Sequence, residues 1–295
     1  MNWCVIEPSY DDFSKNVDEV VTVQEEPFGG PSIFMQYFVM LEAKKRKCKV
    51  MLDGQGGDET LLGYERYYPS AYLDILRNRG VLAALCALRS SSKNNSKMSP
   101  FWIAKYVVGT FFSSLRKLHN NFNCSFLRPE FRKSYPHIDA LAHSYRRVFD
   151  LQKMEMTTTN LPELLRYEDK NSMHHSVEAR LPMIDYRVVE RALNTNTQHK
   201  IVDGWTKYLL RKAMEHKLPS DIFWRKNKFG FNAPERSWLS LHEEKMVSEV
   251  KESKLLAELC DMEKLLKKYT SMSGPLRWRL YNIACWERLF DVGAR

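Results

Sequence analysis

The stretch Cys48-Lys49-Val50-Met51-Leu52-Asp53-Gly54-Gln55-Gly56-Gly57-Asp58-Glu59, running on to Leu62-Gly63-Tyr64, decides how this chain is read. A short apolar run of strand type ends abruptly in three glycines and two acids. Glycines after a buried strand let the backbone approach a ligand and expose successive N–H groups, an arrangement that binds anions such as phosphate. Asp58 and Glu59 would repel phosphate unless a cation sat between them. Oxygen ligands and phosphates shared around Mg²⁺ resolve the conflict. A tight strand-to-helix turn with Asp58 near a helix N-terminus explains the same residues, and both readings stay open on composition alone.

Upstream, residues 19–24 (EVVTVQ) read as a short strand ending at Glu25-Glu26-Pro27. Ser32 is expected to N-cap a helix over about 33–46, where Ile33, Tyr37, Met40 and Leu41 recur at helical spacing. The basic run 44–49 (KKRKCK) suits the C-terminus of that helix. The strand at 48–52 follows. A strand–helix–strand unit of this size is what a parallel α/β sheet requires. From about residue 71 the pattern turns helical, with a polar linker at 90–99 (SSSKNNSKMS). The reading expects helix through 100–155, a further helix from Asn160-Leu161-Pro162-Glu163 and another over about 204–216, ending before Pro219.

The chain has 295 residues, 44% of them hydrophobic and 27% charged. That excludes a disordered or fibrous protein, because enough apolar surface is available to offset chain entropy. Folding at this length buries roughly 75% of the unfolded surface, so no disulfide staple is needed. The six cysteines lie far apart without a CxxC pair, and read as reduced, structural thiols. Residues 1–12 contain Pro8 and acids where a signal peptide needs an apolar core. No run approaches the roughly 18 apolar residues of a membrane span. A cytoplasmic protein without membrane contact is expected.

The formal charge is +9, from 45 Lys+Arg and 36 Asp+Glu. The cations are dispersed among acids, and no nucleic-acid-binding signature accompanies them, so no nucleic acid partner is expected; attraction of an anionic small substrate such as a nucleotide is equally consistent with the charge.

Two more segments carry chemistry. In Trp224-Arg225-Lys226-Asn227-Lys228-Phe229-Gly230-Phe231-Asn232-Ala233-Pro234, a basic cluster meets an aromatic and glycine turn. It suits contacts to polyphosphate or to developing negative charge. A solvated basic loop anchored by Phe229 and Phe231 is the alternative, favoured for Lys226. In Tyr167 to Asp185, the adjacent His174 and His175 invite a metal reading, but sequence neighbours do not share a helix face and no third ligand is spaced for it. Glu178 and Arg180 are expected to form a buried ion pair.

Together these motifs resemble, in order, the synthetase domain of glutamine-hydrolysing asparagine synthetases. The strings are Asp-Gly-Gln-Gly-Gly-Asp-Glu with Gly-Tyr, Ser-Val-Glu-Ala-Arg-Leu-Pro-Met-Ile-Asp, Lys-Tyr-Leu-Leu-Arg and Lys-Phe-Gly-Phe-Asn-Ala-Pro. Glu-Glu-Pro-Phe-Gly-Gly-Pro-Ser-Ile upstream also looks like that family. The resemblance covers most of 1–240 outside a variable helical part at 71–155.

The resemblance implies an α/β fold: a partial parallel sheet of the adenine-nucleotide alpha-hydrolase (PP-loop ATP pyrophosphatase) type with a large, mostly helical remainder. It divides the chain into a partial nucleotide-binding part at 1–70, the variable helical region at 71–155, and a helical part at 156–295 that carries Lys228. It implies ATP and Mg²⁺, with adenylation of the aspartate β-carboxylate followed by attack of ammonia drawn from glutamine. Gly54, Gly56, Gly57, Asp58 and Glu59 resemble the ATP and pyrophosphate site, with Asp58 holding Mg²⁺. Lys228 resembles the lysine that neutralises charge during adenylation. Gln55 occupies the place where some members carry a proton-accepting Glu, and a neutral amide cannot be a general base. Glu26 and Ser32 resemble part of the acceptor pocket.

The family's N-terminal Cys nucleophile and its Ser-Gly-Gly-x-Asp-Ser loop have no counterpart here; Gly-Gly occurs only at 29–30 and 56–57. The expectation is a C-terminal synthetase part, with an open sheet edge, that works with a separate chain carrying the glutaminase domain and pyrophosphate loop. The alternatives are an ATP-dependent amidotransferase for another carboxylate, as in cell-surface polysaccharide synthesis, and a catalytically dead interaction domain.

Overall fold

The computed structural model describes residues 3–94, 124–133, 143–226, 230 and 232–293. It begins with a helix, α1 (Tyr10–Gln24), where the sequence reading expects a strand at 19–24. The three valines there have strand propensity, but two stronger signals override it. Ser9 and Asp12 form a reciprocal capping box, with Asp12 N to Ser9 Oγ at 3.1 Å and Ser9 N to Asp12 Oδ2 at 2.8 Å. Phe13, Val17, Val20, Val21 and Gln24 then share one buried helical face.

Helix α2 (Ser32–Lys45) follows, with Lys44 and Lys45 in its last turn beside the carbonyl end of the dipole. Pro31, not Ser32, holds the N-cap position, and no side chain caps it. The expected strand–helix–strand unit is therefore helix–helix–strand.

Strand β1 (Val50–Leu52) leads into α3 (Gly57–Thr60) and the long α4 (Tyr67–Asn94), which bends at Gly80 where φ is 82°. Residues 90–94 of the expected linker continue α4, and 95–99 lie outside the described residues. A 3₁₀ turn (Pro129–Lys133) precedes α5 (Val148–Thr157) and α6 (Asn160–His174). Strand β2 (Glu178–Arg180) pairs parallel with β1 in the register Val50–Glu178, Met51–Ala179, Leu52–Arg180. A parallel pair needs a long crossover, and residues 53–177 supply it. Only Met51 of β1 packs inward, against Met40, Ala43 and Val177, while Leu52 is 74% exposed.

After a 3₁₀ turn (Pro182–Ile184) come α7 (Tyr186–Asn194), α8 (Thr197–Lys200), α9 (Tyr208–Met214) and α10 (Ser220–Phe223). Helix α9 is shorter than the expected 204–216. The chain ends in α11 (Glu235–Leu241), α12 (Glu243–Glu252), α13 (Lys254–Leu259), α14 (Met262–Tyr269) and α15 (Gly274–Phe290). The fold is thus mostly helical α/β with a small parallel sheet.

The main core forms where α15 meets α1, α2 and α11. Phe13 lies 4.8 Å, centroid to centroid, from both Phe34 and Trp238. Fully buried Trp278 donates its indole N–H to the Phe28 carbonyl at 3.1 Å, and Asn282 accepts the Phe28 N–H at 2.7 Å. Each such aromatic contributes roughly 1.5–3 kcal/mol by leaving water. A second cluster of Leu62, Tyr67, Ala71, Tyr145, Val148 and Leu151 lies behind the glycine loop.

His175 is buried against the Tyr37 carbonyl at 3.1 Å, and burial lowers its pKa. Among the described residues, no cluster of three or more His, Cys, Asp or Glu forms a metal site. Glu178 and Arg180 do pair, at 2.9 Å, but both side chains are exposed rather than buried, because residues two apart on a strand share a face. All six cysteines are free; Cys260 and Cys285 are buried, with thiols pushed up to about 11 and about 12 by desolvation. No described helix is long and apolar enough to cross a membrane.

Candidate nucleotide site

At the end of β1, Asp53 donates its N–H to the Arg180 carbonyl (3.0 Å), and its Oδ1 accepts the Gly54 N–H (2.5 Å). Gly56 then turns the chain with φ 81°, as N-cap of α3. A Cβ there would fall 2.2 Å from Ile184 Cγ2, so the turn requires glycine twice over, by conformation and by space. Gly63 closes the loop by donating its N–H to the Asp58 carbonyl at 2.7 Å. A Cβ on Gly63 would lie 1.9 Å from Asp58 Oδ1 and 2.3 Å from Lys207 Cε.

Those two atoms belong to an ion pair. Lys207 Nζ is 2.9 Å from Asp58 Oδ1, with both side chains mostly shielded. Lys207 has φ 53° and is the N-cap of α9. The pair sits in the wall of a cavity of about 270 Å³, with Gly63, Arg211, Arg225 and Lys226 around it. Leu210, Met214, Ile222 and Phe223 form the apolar side. Arg211 joins the two basic segments: its Nε donates to the Thr206 carbonyl at 2.8 Å, and its Nη1 to the Arg225 carbonyl at 3.2 Å. Its guanidinium lies 4.9 Å from the Trp205 ring centre.

The loop is held from behind. Gln152 of α5 donates to the carbonyls of Glu59 (3.0 Å) and Thr60 (2.7 Å). The Gln152 carbonyl oxygen accepts in turn from buried Lys200 at 2.8 Å, whose ammonium is lowered to about 8 by desolvation. Glu59 is 1% exposed and accepts from Tyr64 Oη (2.7 Å) and from Asn160 Nδ2.

The structure therefore separates the candidate residues. Asp58 lines the cavity, Gly54 is open to space, and Gly56 and Gly57 are buried in the turn. Glu59 points behind the loop, and Gln55 is half-buried in it. Glu26 pairs with Arg166, and Ser32 opens α2; no hydrogen bond or ion pair among the described residues links either to the loop. Lys228 lies outside the described residues. Lys226, read from sequence as a solvated residue, stands on the cavity wall. Lys207 and Arg211 were not singled out in the sequence. They are the first and last residues of the Lys-Tyr-Leu-Leu-Arg string, whose helical spacing shows a shared face but not what it faces.

The asparagine synthase family pattern matches residues 3–288. The chain belongs to the asparagine synthase family. It is 30% identical over 251 residues to asparagine synthetase [glutamine-hydrolyzing] 1 of Bacillus subtilis, covering 80% of this chain and 38% of that protein. A Mycobacterium tuberculosis protein described as an asparagine synthetase of the same glutamine-hydrolysing type is 31% identical over 245 residues, covering 78% of this chain and 36% of its own. The chain thus spans little more than a third of the length of these relatives. In this asparagine synthase family member, the cationic cavity carries two described carboxylates, Asp58 and Glu65, with Lys207 on Asp58. One or two carboxylates fit Mg²⁺, which typically takes that many together with substrate phosphates rather than a full protein cage.

Proposed function

We propose that this chain is the synthetase part of a glutamine-hydrolysing asparagine synthetase. It adenylates the β-carboxylate of aspartate with ATP, and ammonia derived from glutamine displaces AMP to give asparagine. The observation that carries this reading is the Asp58 carboxylate set among Lys207, Arg211, Arg225 and Lys226 in one cavity. An anion of high charge density, accompanied by a divalent cation, satisfies both signs at once.

In this reading the fold is of the PP-loop ATP pyrophosphatase type, with a nucleotide-binding part at 1–70, a variable helical region at 71–155 and a helical part at 156–295. Asp58 would hold Mg²⁺, which would supply charge neutralisation at the leaving pyrophosphate. The Gly54–Gly57 backbone lies against the phosphates. Lys207 and Lys226 fix positive charge on the departing phosphates, and Lys228 neutralises charge as it develops during adenylation. Glu59 acts through Tyr64 and Asn160 as a positioning residue. Gln55, as an amide, orients the incoming nitrogen or the acyl group without taking its proton. Glu26 and Ser32 bind the acceptor. A glutaminase part, on this chain or another, supplies ammonia, and the reaction runs in the cytoplasm.

Calorimetry of ATP with Mg²⁺ on the full chain tests the reading. Saturable binding that disappears in Asp58→Ala, followed by aspartate-dependent pyrophosphate release when a glutaminase part is added, is the expected result. A folded chain that releases pyrophosphate only with a carboxylate other than aspartate would replace aspartate as the acceptor.

A further inference from the structure

Glu168 of α6 is 2% exposed. One of its oxygens, Oε2, accepts from Gln36 Nε2 of α2. The other, Oε1, is buried, and no donor among the described residues reaches it. The carboxyl group that Glu168 meets is that of Asp53, the residue that opens the glycine loop. Ionised carboxylates only accept hydrogen bonds, so a contact between two of them has no donor. With Glu168 buried, the charge of Asp53 beside it disfavours a second ionised carboxylate.

The hydrogen bonds leading to this pair all run one way. Gln24 Nε2 donates to Asn171 Oδ1 at 2.8 Å, and Asn171 Nδ2 donates to Gln36 Oε1 at 3.1 Å. Gln36 donates to Glu168, and Gly54 donates to Asp53 from the other end. Gln24, Gln36, Glu168 and Asn171 are all buried. Every link has a donor except the one between Glu168 and Asp53, and a proton on Glu168 supplies it.

We propose that Glu168 is a neutral carboxylic acid that donates its proton to Asp53, and that this pair is the clamp positioning the Gly54–Asp58 loop. Several charged groups on the elements packed around α6 form ion pairs elsewhere, among them Glu42 of α2 with Arg46. Glu19 of α1 pairs with His174, and Glu155 of α5 with Arg66. Lys170 and Arg166 of α6 itself pair with Glu25 and Glu26, and Arg180 of β2 with Glu178. Burial and then the charge of Asp53 push Glu168 up to about 8, in keeping with the geometry. The effect on nucleotide rests on the proposed phosphate role of the loop; the proton does not.

The test compares the full-length chain with Glu168→Gln and Glu168→Ala. Glutamine keeps a donor toward Asp53 and an acceptor toward Gln36; alanine keeps neither. Urea unfolding is followed from pH 5 to pH 9, with hydrogen exchange at the Gly54 amide and ATP–Mg²⁺ affinity by calorimetry. The folded chain holds a proton that the unfolded chain releases near 4.5, so the parent loses stability as pH rises toward about 8. Glu168→Gln is expected to remove that slope, keep Gly54 protected and bind nucleotide at pH 9 at least threefold more tightly than the parent. Glu168→Ala is expected to expose Gly54 to exchange at least tenfold faster, beyond any uniform loss of protection elsewhere. A Glu168→Gln chain with the parent's pH slope overturns the proton. Unchanged Gly54 exchange in Glu168→Ala overturns the clamp. Clamp behaviour in the exchange data with no ATP binding in any chain upholds the pair and rejects the phosphate role.

Discussion

Lys207 Nζ lies 2.9 Å from Asp58 Oδ1 across a gap that only the missing side chain of Gly63 leaves open. Two segments nearly 150 residues apart thereby meet at one charge pair. Lys207→Met is expected to weaken pyrophosphate binding about tenfold, in line with a charge-assisted contact of roughly 1.5–3 kcal/mol. Calorimetry with inorganic pyrophosphate and Mg²⁺ reads this directly. Equal affinity in Lys207→Met and the parent would remove Lys207 from the site.

Gly63→Ala tests the same gap by filling it. The added methyl meets Asp58 Oδ1 at 1.9 Å, so the carboxylate must turn away. Overpacking of this kind costs about 1–3 kcal/mol. Thermal melting should show the loss, and adding Asp58→Ala to Gly63→Ala should recover part of it. A Gly63→Ala chain as stable as the parent would contradict the geometry.

Trp278 is the anchor of the main core, touching Phe13, Phe28, Phe34 and Tyr281. Trp278→Ala is expected to cost about 3–5 kcal/mol, a large part of the stability of any domain. Urea unfolding measures it, and a loss below about 1 kcal/mol would mean that the core collapses around the hole.

His242 is buried between Tyr10 Oη and Tyr281 Oη, each 3.0 Å away, and desolvation lowers it to about 4. The fold therefore favours the neutral ring. Above about 6.5 both folded and unfolded chains carry it neutral, and no stability is lost. As pH falls from about 6.5 to about 4, the unfolded chain takes up a proton that the folded chain refuses. Stability should drop by up to roughly 3 kcal/mol across that window. His242→Gln should flatten the drop, and an unchanged acid limb in the unfolding curves would assign it to other groups.

Local signals were legible where the sequence states them twice. The glycine turn and the start of α6 at Asn160-Leu161-Pro162 carry their own boundary residues; β1 forms at Val50–Leu52, but with Val50 and Leu52 exposed rather than buried as the apolar run suggests. Helix α1 departs from the sequence reading because its valines have strand propensity, while the capping box and the start of its buried face lie upstream, at Ser9, Asp12, Phe13 and Val17. Strand β2 has three residues, Glu178-Ala179-Arg180, and no pattern announces so short a strand; only its pairing with β1 defines it. The Lys207–Asp58 and Glu168–Asp53 meetings are equally non-local. Residue types named the chemistry available, but distance in space decided which groups share a site.

The order of the chain carries a cost during synthesis. Helix α1 is made more than 200 residues before its partners, since its Phe13 rests on Trp238 and Trp278. Strand β1 likewise waits for residue 180 before it has a neighbour. At roughly 5–20 residues per second, that wait is on the order of ten seconds for β1 and longer for α1. Through it, an apolar helix face and an unpaired strand are presented to the ribosome exit and to whatever chaperones gather there. Helix α15 carries Trp278, so a product interrupted before it would leave the Phe13 face of α1 short of a partner and open to quality control.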